Sequence, residues 1–250
     1  MNKREVLDGI RCDRLLWWEA TEPNAAELRP DEVQRDLFAE GRMVGQAARE
    51  RNPGGVFISI PAPALEARRS ATAEAMAGGA ARIYEAAFEA DGVFVAVDML
   101  ERRGEGWAVV EVKASTRAKP EHVDDVAVQV HVLRSAGVPV AAAELLHLNK
   151  DCRAPDLTDL FTRVDLSAKV EPRVPVVAQA IARARAVLAG ELPTVPVGAQ
   201  RAPQEAPSRR ADRPGGATAG PRAAPPLLRA RHQRIAPAGG AAEGARELGS

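Results

Sequence analysis

The chain has 250 residues, of which 46% are hydrophobic, so it is long enough for one sizeable domain with additional segments. Its 34 Lys and Arg residues balance 34 Asp and Glu residues, which excludes a basic field spread over the whole molecule. Two cysteines exclude a disulfide framework, no secretory signal opens the chain, and no apolar stretch approaches the length of a membrane span. These properties predict a cytoplasmic protein that does not insert into membranes.

The composition changes in the last fifth of the chain. From residue 201 to 250, 36 of 50 residues are Ala, Pro, Arg or Gly, and no Phe, Trp or Tyr follows Phe161. Such a segment has too little bulky apolar surface to offset its ordering entropy, which predicts a folded domain over 1–196 and a disordered tail over 197–250. Two explanations stay open: a flexible tail whose arginines attract nucleic acid, and the frameshifted end of a high-GC gene.

The first third of the chain predicts helices around one short strand. Apolar periodicity indicates two helices with a break near Cys12, and Asp31 is placed to cap a third, longer helix. The predicted elements are two helices in residues 3–19, a helix from Asp31 to the turn at 52–55, a strand over 56–60 and a helix over 64–78.

The middle of the chain predicts three consecutive strands, because apolar runs there alternate with short segments rich in glycine and charge. A helix bounded by Pro120 and Gly137, another strand and a last amphipathic helix follow. The predicted strands cover 82–88, 93–101, 107–113 and 138–148, and the predicted helices cover 121–135 and 176–188. The predicted fold class is therefore α/β, with added N-terminal helices.

Two carboxylates and one lysine follow apolar runs in the second and third of these strands: Asp98, Glu111 and Lys113. Charged groups avoid protein interiors unless they are paired or bound to a metal, so these residues are candidates for a site. If residues 103–106 form a four-residue hairpin loop, Asp98 lies directly opposite Glu111. Side chains alternate along a strand, so Glu111 and Lys113 point to the same face.

The predicted approach of Asp98 to Glu111 indicates a metal site. A bare pair would repel and one member would take up a proton, whereas a divalent cation such as Mg²⁺ or Mn²⁺ removes that cost. The ammonium of Lys113 is placed to orient or deprotonate water, or to stabilise charge on a phosphate. A structural alternative stays open, in which the three residues form an ion pair at the rim of two strands.

Asp98, followed by Glu111 and Lys113 on the next strand, resembles the signature of the PD-(D/E)XK nucleases. Glu85, on the preceding predicted strand, resembles the additional acidic residue of the RecB-like branch of that family. Gln129, on the following predicted helix, resembles the glutamine motif of the same branch. The resemblance implies that an amide at Gln129 reaches the metal site or a bound strand.

The stretches at 9–18 and 145–150 are similar to a bacterial group of RecB-like proteins related to the CRISPR adaptation nucleases. The resemblance covers about residues 5–190. It implies a restriction-endonuclease-like core with the element order αβββαβ, which matches the order of the predicted helices and strands.

This resemblance implies a metal-dependent nuclease that hydrolyses DNA phosphodiester bonds at single-stranded or frayed ends, in DNA repair, recombination or defence. It implies that Asp98 and Glu111 hold magnesium with the Val112 carbonyl, that Glu85 completes the ligand set, and that Lys113 positions the water. A partner such as a helicase is not identified by the sequence.

The chain departs from the family in two places. RecB-like nucleases often carry a metal-binding histidine on an early helix, where this chain has Gly41 and Gly45. Many relatives hold a [4Fe–4S] cluster with an early cysteine and three cysteines near the C-terminus. Such a cluster needs four thiolates, and Cys12 and Cys152 cannot supply them, so the cluster is not expected. The chain is expected to be truncated before those C-terminal cysteines. Two alternatives follow: a catalytically inactive module that binds DNA or assembles with other proteins, and a fragment of a longer gene.

Overall fold

The computed structural model describes residues 1–61 and 63–190. The tail predicted over 197–250 and the domain boundary at residue 196 lie outside the described residues. A six-stranded sheet forms the centre of the fold: β1 (Val56–Phe57), β2 (Arg82–Ala90), β3 (Val93–Arg103), β4 (Gly106–Lys113), β5 (Val140–Leu148) and β6 (Phe161–Asp165). The α-helices are α1 (Lys3–Arg11), α2 (Asp13–Thr21), α3 (Glu32–Arg51), α4 (Leu65–Ala77), α5 (Pro120–Ser135), α6 (Ser167–Val170) and α7 (Val174–Ala189).

The strands lie in sequence order across the sheet, which mixes parallel and antiparallel pairs. β2, β3 and β4 form an antiparallel meander, β1 is parallel to β2, β5 is parallel to β4, and β6 is antiparallel to β5. Parallel neighbours need a crossover connection, and α5 supplies the one between β4 and β5. The predicted α/β class is confirmed, and the elements from α4 to β5 follow the predicted αβββαβ order.

The main hydrophobic core lies between one face of the sheet and α1, α5 and α7. Leu100, Trp107 and Val109 of the sheet pack there with apolar residues of the three helices, including Val6 and Ile181. α5 is buried along most of its length, which explains why its apolar residues extend beyond a single stripe. Because α5 is buried, polar side chains on this helix also lie in the interior of the protein.

The opposite face of the sheet is covered more thinly by α3. Asp31 caps this helix as predicted, because its carboxylate accepts a hydrogen bond of 2.7 Å from the Gln34 backbone N–H. Only the second half of α3 packs closely, through Val44 and Ala48. Within the described residues, no helix is both long enough and apolar enough to cross a membrane.

Some boundaries differ from the predictions. The hairpin turn between β3 and β4 is shorter than predicted, because Arg103 already pairs with Gly106, but the register that pairs Arg102 with Trp107 is correct. The strand predicted over 56–60 covers only Val56–Phe57. β6 was not predicted, because Phe161 and Val164 are its only apolar residues and it lacks the apolar run that marks the other strands.

We expect Gly55→Ala to destabilise the fold where β1 meets β2. A Cβ on Gly55 would lie 2.5 Å from Cε2 and 2.9 Å from Cζ of Tyr84, so the buried ring must move. Forcing extra atoms into a packed site costs about 1–3 kcal/mol, which chemical denaturation would measure. Gly41→Ala is the matched control: its Cβ meets nothing within 4 Å, and removing a helical glycine stabilises by up to about 1 kcal/mol. Equal effects of the two substitutions would contradict this packing.

Candidate active site

The ladder between β2 and β3 is interrupted at one residue on each strand. Pairing continues on both sides of the gap, but Glu85 and Asp98 are left out of it. Ile83 and Ala86 are three residues apart yet both pack into the main core, so β2 does not keep its regular alternation across Glu85. Glu85 has φ of +58°, a left-handed conformation that non-glycine residues rarely adopt. Backbone strain of this kind concentrates at functional sites.

Asp98 is held by the backbone of the neighbouring strand. Its Oδ2 accepts a hydrogen bond of 2.7 Å from the Val112 N–H. Burial raises the pKa of Asp98 most, and Coulombic repulsion from Glu111 adds to this effect. Lys3 and the Val112 N–H lower it, and the net result is a pKa of about 8. Asp98 therefore carries a proton at neutral pH when no cation is bound.

Glu111 is buried but ionised. Its two carboxylate oxygens accept hydrogen bonds of 3.1 and 3.2 Å from Lys3 Nζ, and Lys113 Nζ lies 2.6 Å from Oε1. Gln129 Nε2 donates a hydrogen bond of 2.5 Å to Oε2. Burial opposes ionisation, but the attraction of the two lysines and the hydrogen bonds outweigh it and lower the pKa of Glu111 well below its usual range.

Asp125 completes a compact group of charges around Glu111. Lys3 Nζ lies 2.7 Å from Asp125 Oδ1, and Lys113 Nζ also contacts the Asp125 carboxylate. Burial alone would lower the pKa of both lysines, but attraction to Glu111 and Asp125 raises the pKa of each above its usual value. Lys113 therefore stays protonated in this arrangement, which favours a role in orienting water or stabilising charge over deprotonating water.

Two cavities open on the two sides of β4. One, of about 560 Å³, is lined by Glu85, Asp98 and Val112 together with residues of α3 and α4. The other, of about 250 Å³, is lined by Lys113 and Asp125 together with residues of α1 and α5. Val112 and Lys113 are adjacent in one strand, so their side chains point to opposite faces of the sheet. Asp98 and Lys113 thus line different cavities, and the charge of Glu111 contributes to the raised pKa of each.

The structure groups the residues proposed from the sequence into two sets. Glu111, Lys113 and Gln129 are in direct contact, and Glu85 and Asp98 share a cavity. The two sets meet through the hydrogen bond from the β4 backbone to Asp98 and through the repulsion that raises its pKa.

Sequence reasoning missed Lys3 and Asp125. Asp125 carries a signal that could have revealed it, because it lies four residues before Gln129 and so on the same side of α5. Lys3 carries no such signal, since its contact with Glu111 spans 108 residues of sequence and depends on how α1 docks.

The oxygen donors of Asp98, Glu111, Glu85 and the Val112 carbonyl have the chemistry that Mg²⁺ and Mn²⁺ prefer. Among residues 1–61 and 63–190, however, no three His, Cys, Asp or Glu side chains converge in the geometry of a cation site. The donor set fits a divalent metal on the condition that Glu111 exchanges one of its present hydrogen-bond donors for the ion.

The two cysteines lie in separate places. Cys12 is a half-buried free thiol between α1 and α2, and Cys152 is a buried free thiol packed with Leu148 and Leu160. The glycines at 41 and 45, where the resemblance implies an early histidine, line the cavity that contains Glu85 and Asp98.

Solved structures with low similarity to this chain include the following two. The crystal structure of SSO0001 shows 12% identity over 73% of this chain and 75% of that chain, with a TM-score of 0.37. The crystal structure of an alkaline exonuclease from Laribacter hongkongensis shows 16% identity over 75% of this chain and 90% of that chain, with a TM-score of 0.29. No family model matches the chain, and no curated protein sequence matches it.

We expect stability to depend on pH through Asp98 when a chelator is present. The pKa of Asp98 is about 8 in the folded chain, against an ordinary value of 3.8 that applies to the unfolded chain. Between these values the folded chain holds a proton that the unfolded chain has released, so this contribution to stability is complete near pH 4 and is lost as pH rises towards 8. Each pH unit in that window removes up to about 1.4 kcal/mol, measured by urea unfolding. Asp98→Asn should flatten the curve, whereas the exposed control Asp36→Asn should leave it unchanged. Parallel curves for wild type and Asp98→Asn would contradict the raised pKa.

Lys3→Met should destabilise the metal-free protein, because Glu111 and Asp125 would then share a single ammonium. Leaving a buried charged group without its partner costs about 1–3 kcal/mol, and thermal unfolding in chelator would measure the loss. Added Mn²⁺ should restore part of the melting temperature of this variant, since a cation then replaces the lost charge. The exposed Lys169→Met is the control and should match wild type. An unchanged melting temperature for Lys3→Met would show that the contact with Glu111 contributes nothing.

Proposed function

We propose that this chain is a metal-dependent nuclease that hydrolyses DNA phosphodiester bonds. The observation that carries the proposal is the position of Asp98, whose carboxylate accepts a hydrogen bond from the Val112 N–H and shares a cavity with Glu85. Burial and then repulsion from Glu111 raise the pKa of Asp98, whereas the pKa of Glu111 is lowered because attraction to its lysines outweighs burial. Strongly perturbed carboxyl groups of this kind concentrate at functional sites. A divalent cation at this point would allow both groups to ionise.

The residues that would hold the cation are Asp98, Glu111 and Glu85, with the Val112 carbonyl. Bound Mg²⁺ would supply polarisation of the scissile phosphate and a more acidic water. The ammonium of Lys113 is fixed beside Glu111 and stays charged, so in this proposal it holds the Glu111 carboxylate in place. It would stabilise the negative charge that develops on the phosphate where the substrate extends past β4 into the cavity that Lys113 lines.

Gln129 acts on this site through Glu111. Its Nε2 donates to a Glu111 oxygen inside the core, and the side chain is fully buried, so it limits the orientations open to that carboxylate. Its Oε1 is buried and has no hydrogen-bond partner in the part of the chain that the structure describes, so this acceptor is available to a group that enters the site. Gln129 is therefore a positioning residue in this proposal.

A second candidate function is a catalytically inactive module of the same fold that binds DNA or assembles with other proteins. The observation that favours it is that Lys3 and Lys113 already balance the charge of Glu111 and Asp125, while Gln129 donates a hydrogen bond to Glu111. In such a module these residues would stabilise the core, and no cation would need to displace any of them.

Cleavage of a labelled single-stranded oligonucleotide with millimolar Mg²⁺ or Mn²⁺ separates these two candidates. We expect cleavage by wild type, and a loss of at least about 100-fold in Asp98→Ala, Glu111→Ala and Lys113→Ala, because metal and lysine act as one unit. Glu105→Ala, in the exposed turn between β3 and β4, is the control and should retain wild-type activity. Equal low activity in wild type and all three site variants would establish the inactive module instead.

A further inference from the structure

Arg68 of α4 has a buried side chain with few partners. Its side chain is 10% exposed, its buried Nε has no hydrogen-bond partner among residues 1–61 and 63–190, and Nη2 lies 3.5 Å from Glu85 Oε2, too far for a good hydrogen bond. The same residues also offer it the Phe94 ring, whose centroid is 5.6 Å away. An unmade hydrogen bond on a buried charged group is costly, and an anion in the cavity that Arg68 lines would complete its coordination.

Arg68 lines the same cavity as Asp98 and Glu85. Guanidinium groups bind phosphate oxygens through two parallel hydrogen bonds, which a protein carboxylate at 3.5 Å does not satisfy here. A phosphodiester group seated on Arg68 would therefore lie beside the acidic residues of the candidate site.

Phe57 provides an aromatic surface in the same cavity. The residue is 48% exposed, which is unusual for a phenylalanine, and the Arg49 guanidinium lies 4.5 Å from its ring centroid. Exposed aromatic rings next to basic groups are the elements on which single-stranded nucleic acids stack their bases. The guanidinium lies over the ring, so a base would stack on this surface either beside Arg49 or in its place.

The wall formed by α3 is open at Gly41 and Gly45. A Cβ on Gly41 would meet nothing within 4 Å, and one on Gly45 would meet only Arg49 Nη1 at 3.9 Å, so packing does not require either glycine. Their effect is to widen the cavity, and Arg42, exposed between them, adds positive charge to its rim.

We propose that this cavity binds single-stranded DNA, with a phosphodiester group on Arg68 and an adjacent base stacked on Phe57. The inference rests on the proposed function and specifies how its substrate is held. The volume of about 560 Å³ lies within the range of about 300–1,000 Å³ for ligand pockets, so the cavity admits a nucleotide-sized group. Stacking on Phe57 requires an unpaired base, which a single strand supplies.

The first test of this inference is binding of fluorescein-labelled oligothymidylate, followed by anisotropy in chelator so that no cleavage occurs. Arg68→Met should weaken binding at least about tenfold, because the charge-assisted contacts to one phosphate are lost. The melting temperature of Arg68→Met should equal or exceed that of wild type, since the variant removes a buried charge that lacks hydrogen bonds. A lower melting temperature with unchanged binding would show a structural role and would overturn the assignment of Arg68.

The second test changes the aromatic surface. Phe57→Ala should weaken binding about tenfold, and Phe57→Trp should retain it, because a base stacks on either aromatic ring but not on alanine. Phe38→Ala is the matched control: Phe38 is 53% exposed on α3, does not line the cavity, and should bind as wild type does. Equal affinities for wild type, Phe57→Ala and Phe38→Ala would overturn the stacking assignment.

Two further experiments distinguish single-stranded DNA from RNA and duplex DNA as the ligand, and distinguish DNA binding from the proposed hydrolysis. Tighter binding of oligouridylate, or of a blunt duplex, than of oligothymidylate would overturn the assignment to single-stranded DNA. Wild type that binds oligothymidylate through Arg68 and Phe57 but never cleaves it with Mg²⁺ or Mn²⁺ would support the binding site and refute the proposed nuclease activity.

Discussion

The buried carboxylate of Glu111 is the constraint on which the surrounding structure depends. An isolated ionised carboxylate in an apolar interior is highly unstable, so Glu111 needs compensating groups from the elements that pack against it. α1 supplies Lys3, β4 itself supplies Lys113, and α5 supplies the Gln129 amide. The N-terminal helix is therefore joined to the sheet by charge as well as by apolar packing, and its docking is linked to the candidate site.

The β2–β3 pair, next to the cavity that α3 lines, shows how a regular sheet is modified to hold carboxylates. Strict alternation would place Glu85 and its neighbours in fixed positions, but the interruption at Glu85 and Asp98 keeps Ile83 and Ala86 in the core and releases both acidic side chains into a cavity. The hydrogen bond from the Val112 N–H to Asp98 replaces a ladder bond, so the opening of the sheet leaves no unpaired donor there. The positive φ of Glu85 is the conformational cost of this arrangement.

The sequence was sufficient for the features that depend on local pattern. Turn composition and apolar runs predicted the β2–β4 meander and the register that pairs Arg102 with Trp107, because hairpin geometry is set within a few residues. The roles proposed for Glu85, Asp98, Glu111, Lys113 and Gln129 stay predictions. The interruption of the ladder was not predictable, because a simple register count assumes that both strands keep their alternation.

Contacts between distant segments were the main features that the sequence did not reveal. Nothing in the pattern around Lys3 distinguishes it from a solvent-exposed lysine in the first turn of a helix, and Arg68 lies in an Ala- and Glu-rich helix that predicts a solvated surface. Both become informative only when burial and partners are known. Lys3 has two carboxylates within 3.1 Å, whereas the Arg68 side chain has only the Glu85 carboxylate, at 3.5 Å, among the described residues. Comparing the charge of a buried side chain with the charges of its partners therefore separates the two cases: a charge that is balanced stabilises the fold, and a charge that is not balanced is a candidate for binding.

A net charge of zero is compatible with a nucleic-acid site because charge is distributed unevenly on a local scale. The negative charges of Glu111 and Asp125 are matched by Lys3 and Lys113 on the side of the sheet next to α5, so that side presents little unbalanced charge. On the side of α3, Arg49 contacts an aromatic ring and Arg68 contacts Glu85 only at 3.5 Å, so positive charge remains available to an anion. Screening limits exposed charges to distances of about 8–10 Å, and the local balance within the cavity therefore matters more for a bound strand than the sum over the chain.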